Sequence, residues 1–330
     1  MKVLFIGGTG IISSACSQLA LDRGLDLYLL NRGQSSRPIP AGAQVIRADI
    51  RDPESVHKAL GSQHFDAVAN FIAFTPEHIE TDLKLFAGCT DQYIFISSAS
   101  AYQKPLAALP ITESTVLENP FWEYSRNKIA CEERLVQAYR QEQFPITIVR
   151  PSHTYDKTLL PMEGGWTVVE RMLKGKKVIV HGDGSSLWTL THHRDFAKGF
   201  VGLLGNPHAL GQAVQITSDE SLTWNQIFEY TAHAAGVTPH IVHVPSERIA
   251  QYDANWGAGL LGDKAYSVIF DNSKIKRLVP DFCASIPFAR GIEEIMQWYQ
   301  ADASRRKVDP NFDQLCDRII ADYESSAPHK

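Results

Sequence analysis

The chain has 330 residues, 44% of them hydrophobic, and a net charge of −5. That length can bury a large core, as one domain or two unequal ones. The acidic balance, with Arg305-Arg306-Lys307 as the only dense basic run, leaves no electrostatic footprint for nucleic acid or an anionic membrane.

The first 150 residues alternate strand and helix. Val3–Ile6 reads as a buried strand reached directly from the N-terminus, without a signal peptide. A glycine turn follows, then a helix over Ile11–Arg23 closed by Gly24. Strands are predicted at Leu27–Leu30, Gln44–Ala48, Ala67–Ile72, Tyr93–Ile96 and Ile146–Val149, and helices open at Asp52-Pro53 and Thr75-Pro76, with a long one over Trp122–Gln141. This alternation predicts an α/β fold, a doubly wound parallel sheet of the Rossmann type. After Pro151 the pattern loosens into a smaller α/β lobe with a helix over His193–Leu204, a strand at Val214–Ile216, a helix from Trp224 capped by Thr223, a strand at Ile241–Val244, the Tyr252–Lys264 region and Pro287–Tyr299. The expected division is a dinucleotide-binding domain over 1–150 and a substrate-binding lobe over 151–330, with about 191–216 returning to the first domain. No apolar run approaches a membrane span. Cys16, Cys89, Cys131, Cys283 and Cys316 lack Cys-xx-Cys spacing, which predicts a reduced, cytoplasmic compartment and no metal site.

Gly7-Gly8-Thr9-Gly10-Ile11-Ile12-Ser13 occupies the first strand-to-helix turn. Glycine there lets the backbone approach a pyrophosphate, whose charge the helix N-terminus then meets. Ser13 stands where the third glycine of the pattern falls, a small residue at a close-packing position. At the end of the second strand an NAD site usually carries an acid for the ribose 2′-hydroxyl. This chain offers Asn31 and Arg32, with Arg37 nearby, so NADP is favoured and NAD possible, the alternative being a solvated loop arginine. Asp49-Ile50 is a candidate adenine cradle, or a plain loop.

Tyr124 and Lys128 are four apart on the long helix and so share one face, one turn apart. A lysine ammonium beside a phenol favours phenolate, which predicts a tyrosine pKa lowered toward working pH and an acid/base role. The alternative is an exposed amphipathic helix. Ser97, Ser98 and Ser100 lie at the C-terminal end of a central strand, where open α/β sheets bind ligands; they either hold a substrate oxygen or cap the loop. His153 follows the sixth strand at the substrate rim, as a substrate or cofactor contact or as a hydrogen-bonded loop residue. Trp166, Trp188 and Trp256 either wall the pocket or form core.

The glycine turn, the Ser97-Ser98-Ala99-Ser100-Ala101-Tyr102 strand end and Tyr124-xxx-Lys128 together resemble the short-chain dehydrogenase/reductase superfamily. The second lobe, and Gly182-Asp183-Gly184-Ser185 running into Thr191-His192-His193-Arg194-Asp195, resemble its extended or atypical branch, which holds the NAD-dependent epimerase/dehydratase family. The resemblance implies Ser98 as catalytic hydroxyl, Tyr124 as acid/base, and Lys128 as cofactor-ribose clamp and pKa modulator. It implies Gly7, Gly10 and Ser13 along the pyrophosphate, Asn70, Phe71 and Ala73 beside the cofactor, and a homodimer through the 75–87 and 122–139 helices.

Departures from the family pattern narrow the expectation. Nucleotide-sugar members usually carry an arginine after the Gly-Asp-Gly to grip the diphosphate, and Trp188 falls at that place. Ala99 and Ser100 replace the acidic pair of sugar 4,6-dehydratases. The expected activity is hydride transfer at a secondary alcohol or ketone of a sugar-like small molecule, as a dehydrogenase, reductase or epimerase. Two rivals are an RNA-binding protein like the chloroplast stem-loop-binding members, which clustered Lys and Arg would have to support, and a cofactor-binding regulator without turnover.

Overall fold

The structure, a computed structural model, describes residues 1–326. Seven strands form one parallel sheet: β1 (Lys2–Ile6), β2 (Asp26–Asn31), β3 (Gln44–Arg47), β4 (Ala67–Asn70), β5 (Tyr93–Ile96), β6 (Ile146–Pro151) and, far along the chain, β11 (Gln212–Ile216). Their spatial order is β11-β6-β5-β4-β1-β2-β3. The connections between them carry α1 (Ile11–Asp22), α2 (Pro53–Leu60), α3 (Pro76–Phe86) and α4 (Glu123–Glu142). Strand order reverses at β1, whose neighbours are β2 and β4, and in open parallel sheets that crevice is where ligands bind.

The alternation of side chains along each strand sorts the core into two faces. Val3 and Phe5 pack with Ala15 and Cys16 of α1 and with Phe196 and Phe200 of α6 (His193–Leu203). Leu4 and Ile6 point the other way, onto Ile79 and Leu83 of α3 and Leu135 of α4. Each such apolar side chain, taken fully out of water, stabilises by about 1.5–3 kcal/mol before entropy is counted. The helix and strand at 193–216 thus pack on and within the main sheet.

The remaining strands are short pairs. β7 (His153–Tyr155) runs parallel to β10 (Leu190–His192), β9 (Leu187–Trp188) antiparallel to β12 (Leu222–Thr223), and β8 (Lys177–His181) parallel to β13 (His240–Val244). The helices of this part are α5 (Trp166–Leu173), α7 (Trp224–Ala234), α8 (Ser246–Ala250), α9 (Ala254–Gly259), α11 (Phe288–Gln300) and α12 (Pro310–Ser326), while α10 (Ser273–Leu278) packs through Ile275 on the core of the main sheet. Its core gathers Trp166, Trp188, Trp224, Phe288 and Tyr299, joined by Tyr102 and Ile111 from the loop before α4. α12 has no counterpart among the predicted elements. It is held where the buried Arg171 guanidinium meets Asp313 and Asp317, with Lys176 bonding the same two carboxylates at 2.9 and 3.0 Å. Among the described residues no helix is long and apolar enough to cross a membrane.

Candidate active site

The turn after β1 is built for close approach. Gly7 has φ +82°, and a Cβ there would stand 2.7 Å from Ile72 Cγ2, so no other residue fits without displacement. Ser13 does not face outward along this turn. Its buried hydroxyl donates to Gly7 O at 2.6 Å and accepts from Gly10 N at 2.7 Å, locking the turn from beneath. A groove of about 780 Å³ runs from Gly7, Gly10 and Ile11 across to Asn31, Arg32, Asp49 and Ile50. First-turn N–H groups of a helix have no partner within the helix, and α1 aims its own into this region. Glycines that a Cβ would obstruct, a helix N-terminus and a long polar-edged groove fit a dinucleotide.

Arg32 stands at the groove's far end, more than half exposed, with Nη1 3.7 Å from Asp49 Oδ2. Arg37 is otherwise engaged: Nη1 and Nη2 donate to Asp156 and Thr158, each at 2.5 Å, which ties the loop after β2 to the loop after β7. Arg51, which the sequence reading passed over, lines the groove and donates to the Ile72 carbonyl. Asn70 does not reach the groove. It is fully buried, donates to Asp82 at 2.5 Å and accepts from Ile72 N at 2.8 Å, so it caps β4 instead. Ala73 is buried and contributes through its carbonyl, described below.

A second cleft, about 360 Å³, opens beside the groove at the ends of β4, β5 and β6. Ile12, Phe71, Ser98, Ser100, Tyr124, Lys128, His153 and Trp188 all line it, so residues scattered over the sequence from 12 to 188 meet at one place. Their positions are fixed by buried polar contacts. Asn119 accepts from the N–H groups of Phe121 and Trp122 at the start of α4 and donates to Ser100 O (2.9 Å) and Gly262 O (2.7 Å). One turn beyond Lys128, Glu132 accepts from Ser97 Oγ at 2.5 Å and pairs with the buried guanidinium of Arg150, which ties α4 to both β5 and β6. Ser98 and Ser100 hydroxyls are 2.9 Å apart, and Ser125 donates to Ser100 at 2.8 Å.

Lys128 is buried, and its Nζ donates to Ala73 O and Ile96 O, each at 2.7 Å. Burial lowers its pKa to about 8, opposed by Cys131 and Glu132. The Tyr124 phenol corrects the sequence expectation. Its pKa is pushed up to about 12, because burial outweighs the Ser98 hydrogen bond that lowers it, and the Asp263 carboxylate raises it further. His153 is held neutral, its pKa brought down to about 3 by burial and by the charge of Lys264; its Nε2 is buried without a hydrogen-bond partner.

Of the three candidate tryptophans only Trp188 touches the cleft, and it is mostly core, with its ring 5.5 Å from Trp224 and edge-on to His153. Trp166 packs on Tyr299 and Trp256 on Phe312, both away from the cleft. The wall is instead made by Phe74, Trp122, Val268 and Phe270, together with Asp263 and Lys264, a contribution from 263–270 that no local motif announces. His192 and His193 lie outside the cleft lining, and among the described residues no group of three or more His, Cys, Asp or Glu could hold a metal ion.

A parallel sheet with its reversal point at β1 and a glycine turn there define a fold of the Rossmann type, with a tyrosine–lysine pair at the adjoining cleft. The chain belongs to the NAD dependent epimerase/dehydratase family, whose pattern matches residues 3–216. It is 26% identical over 289 residues to the 2′-dehydrokanamycin reductase of Streptomyces kanamyceticus, covering 86% of this chain and 80% of that protein. It is also 26% identical to the chloroplast stem-loop binding protein of 41 kDa b of Arabidopsis thaliana, over 73% of this chain and 65% of the other. In fold it resembles the UDP-glucose 4-epimerase of Bifidobacterium longum, solved in complex with NAD+ and UDP, at TM-score 0.74 and 18% identity, covering 92% and 100% of the two chains. An epimerase of Methanothermobacter thermautotrophicus gives 0.75 at 17% identity, over 92% and 94%.

Proposed function

We propose that the protein is an NAD(P)-dependent reductase, dehydrogenase or epimerase that transfers hydride at a secondary alcohol or ketone of a sugar-like molecule, with Tyr124 as acid/base. The observation that carries this reading is the meeting of Ser98, Tyr124 and Lys128 on one cleft, beside the groove that suits a dinucleotide. Gly7, Gly10, Ile11, Arg32, Asp49 and Ile50 would hold the cofactor, which supplies the hydride acceptor or donor. Ser98 hydrogen-bonds the substrate oxygen. Tyr124 takes the hydroxyl proton as the carbinol carbon loses hydride and becomes a ketone, and gives the proton back when hydride returns. Return to the same face regenerates the alcohol, to the opposite face the epimer. Lys128, with two carbonyls accepting from it, keeps one N–H for a cofactor ribose hydroxyl.

NADP in preference to NAD rests on Arg32 alone, since Arg37 is spent on Asp156. Against it stand structural neighbours solved with NAD. Ala99 and Ser100 occupy the acidic positions of sugar dehydratases, which favours redox chemistry over water loss. The assembled triad likewise favours catalysis over the stem-loop binding that the Arabidopsis relative's name brings, and over regulation without turnover. A cytoplasmic homodimer through α3 and α4 belongs to the same proposal. The reading is tested by titrating NADP(H) and NAD(H) into the purified protein, then screening sugars and polyols for reduced-cofactor absorbance. Failure to bind either nucleotide at millimolar concentration overturns it.

A further inference from the structure

Three charged side chains line the catalytic cleft: Lys128, Asp263 and Lys264. Two of them are answered within the protein. Lys128 donates to two carbonyls, and Asp263 lies 3.4 Å from Lys104, whose side chain is completely buried behind the wall. Lys264 is not answered. Among the described residues its ammonium makes no ion pair and donates no hydrogen bond; it sits 5.6 Å from the centre of the Trp122 ring, with Gly259 leaving room beside it. The backbone that carries it is pinned, because the Lys264 carbonyl accepts from His181 Nε2 at 3.0 Å and Ser186 Oγ at 3.3 Å, and that of Gly262 from Asn119. A half-buried ammonium with no anion is costly unless a ligand or water supplies the acceptor. Facing the same cleft is His153, neutral, with an unpartnered Nε2.

We propose that Lys264 and His153 form an anion subsite on the wall given by the second lobe, and that the substrate carries one carboxylate or phosphate monoester beside its reacting carbinol. The inference rests on the hydride-transfer reading for the carbinol, but the subsite stands on the charge inventory of the cleft. The unbalanced charge is a single one, so it matches a single anionic group. Trp122, Phe74 and Phe270 supply apolar faces on which the ring of such a substrate lies. A cationic amino sugar is disfavoured by the same charge. The carboxylate and the phosphate share the chemistry that Lys264 recognises, and the test separates them.

The test is binding, measured apart from turnover. Intrinsic tryptophan fluorescence of the full chain is titrated at low salt with glucuronate, glucose 6-phosphate, glucose and glucosamine, for wild type, Lys264→Met and Lys264→Arg. A charge-assisted contact predicts roughly ten- to a hundredfold tighter binding of glucuronate or glucose 6-phosphate than of glucose, falling with added salt. The preference collapses to about twofold or less in Lys264→Met and returns in Lys264→Arg, with melting curves showing that both variants fold. Preference for either anion alone supports the subsite and says which group it takes. Equal binding of glucose or glucosamine, or an anion preference that survives in Lys264→Met, overturns it. If the anion preference holds while neither NADP(H) nor NAD(H) binds, the hydride reading fails and the subsite does not.

Discussion

The ammonium of Lys128 lies 5.8 Å from the centre of the Tyr124 ring and donates to the carbonyls of Ala73 and Ile96. The lysine is thereby fixed by backbone, and burial sets the acidity of both groups. Tyr124, at about 12, stays protonated through neutral pH, while Lys128, at about 8, loses its charge just above it. On the proposed mechanism the reductive direction uses the phenol as acid, and kcat/KM should be flat at neutral pH and fall as Lys128 deprotonates above pH 8. In the oxidative direction, which needs phenolate, it should rise with pH and show no plateau below about pH 8. Rate profiles in both directions check this. An oxidative plateau near neutrality would show that the phenol titrates several units lower than its burial dictates.

Tyr124→Phe removes the proposed proton carrier and almost no volume. Turnover should fall by about 10²–10⁴-fold in kcat. Cofactor affinity, measured by fluorescence titration, should change little. Turnover like wild type in the purified variant would remove Tyr124 from the mechanism.

Arg32→Ala should weaken NADP(H) more than NAD(H), by roughly ten- to a hundredfold, since only the former has a 2′-phosphate for the guanidinium. Comparing the two dissociation constants in wild type and variant decides it. Equal loss for both nucleotides would reduce Arg32 to a partner of Asp49.

Asn119→Ala breaks the joint that holds the Ser100 loop, the Gly262 turn and the start of α4 together. With its buried carbonyl partners left without a donor, the variant should lose about 1–3 kcal/mol in urea denaturation. It should also lower kcat, because Tyr124 lies in the first turn of α4 and Asn119 holds the two residues that lead into that helix. Loss of stability with unchanged kcat would show that Ser98 and Tyr124 hold their places without it.

Trp188→Ala should act first on stability. The ring is buried against Trp224, so its removal leaves a cavity, at a cost of about 3–5 kcal/mol. Trp188→Phe should recover much of the loss. An alanine variant that melts like wild type but has a raised KM would return the residue to a purely substrate-facing role.

The sequence by itself determined the parts whose signal is local. Val3 to Ile6, the Gly7 turn and the alternation to Pro151 carry their periods in consecutive residues, and Tyr124 and Lys128 share a helix face through a four-residue spacing. The same locality made Ser98, at the end of a central strand, legible as a cleft residue. Tertiary structure alone decided what depends on distance across the fold. Arg37 is adjacent in sequence to the cofactor loop, yet it is claimed by Asp156, 119 residues away. Asn70 reads as a cofactor neighbour until Asp82 takes its amide. Trp166, Trp188 and Trp256 look alike in sequence, and only packing separates Trp188, whose buried ring still touches the cleft, from the two that lie away from it. The acidity of Tyr124 turned on how deeply the phenol is buried and on Asp263, neither visible in a Tyr-xxx-Lys pattern. Lys264 carries no motif; among the described residues the other charges on the cleft wall have a hydrogen-bond or ion-pair partner and it has only the face of Trp122, a property of three-dimensional neighbours.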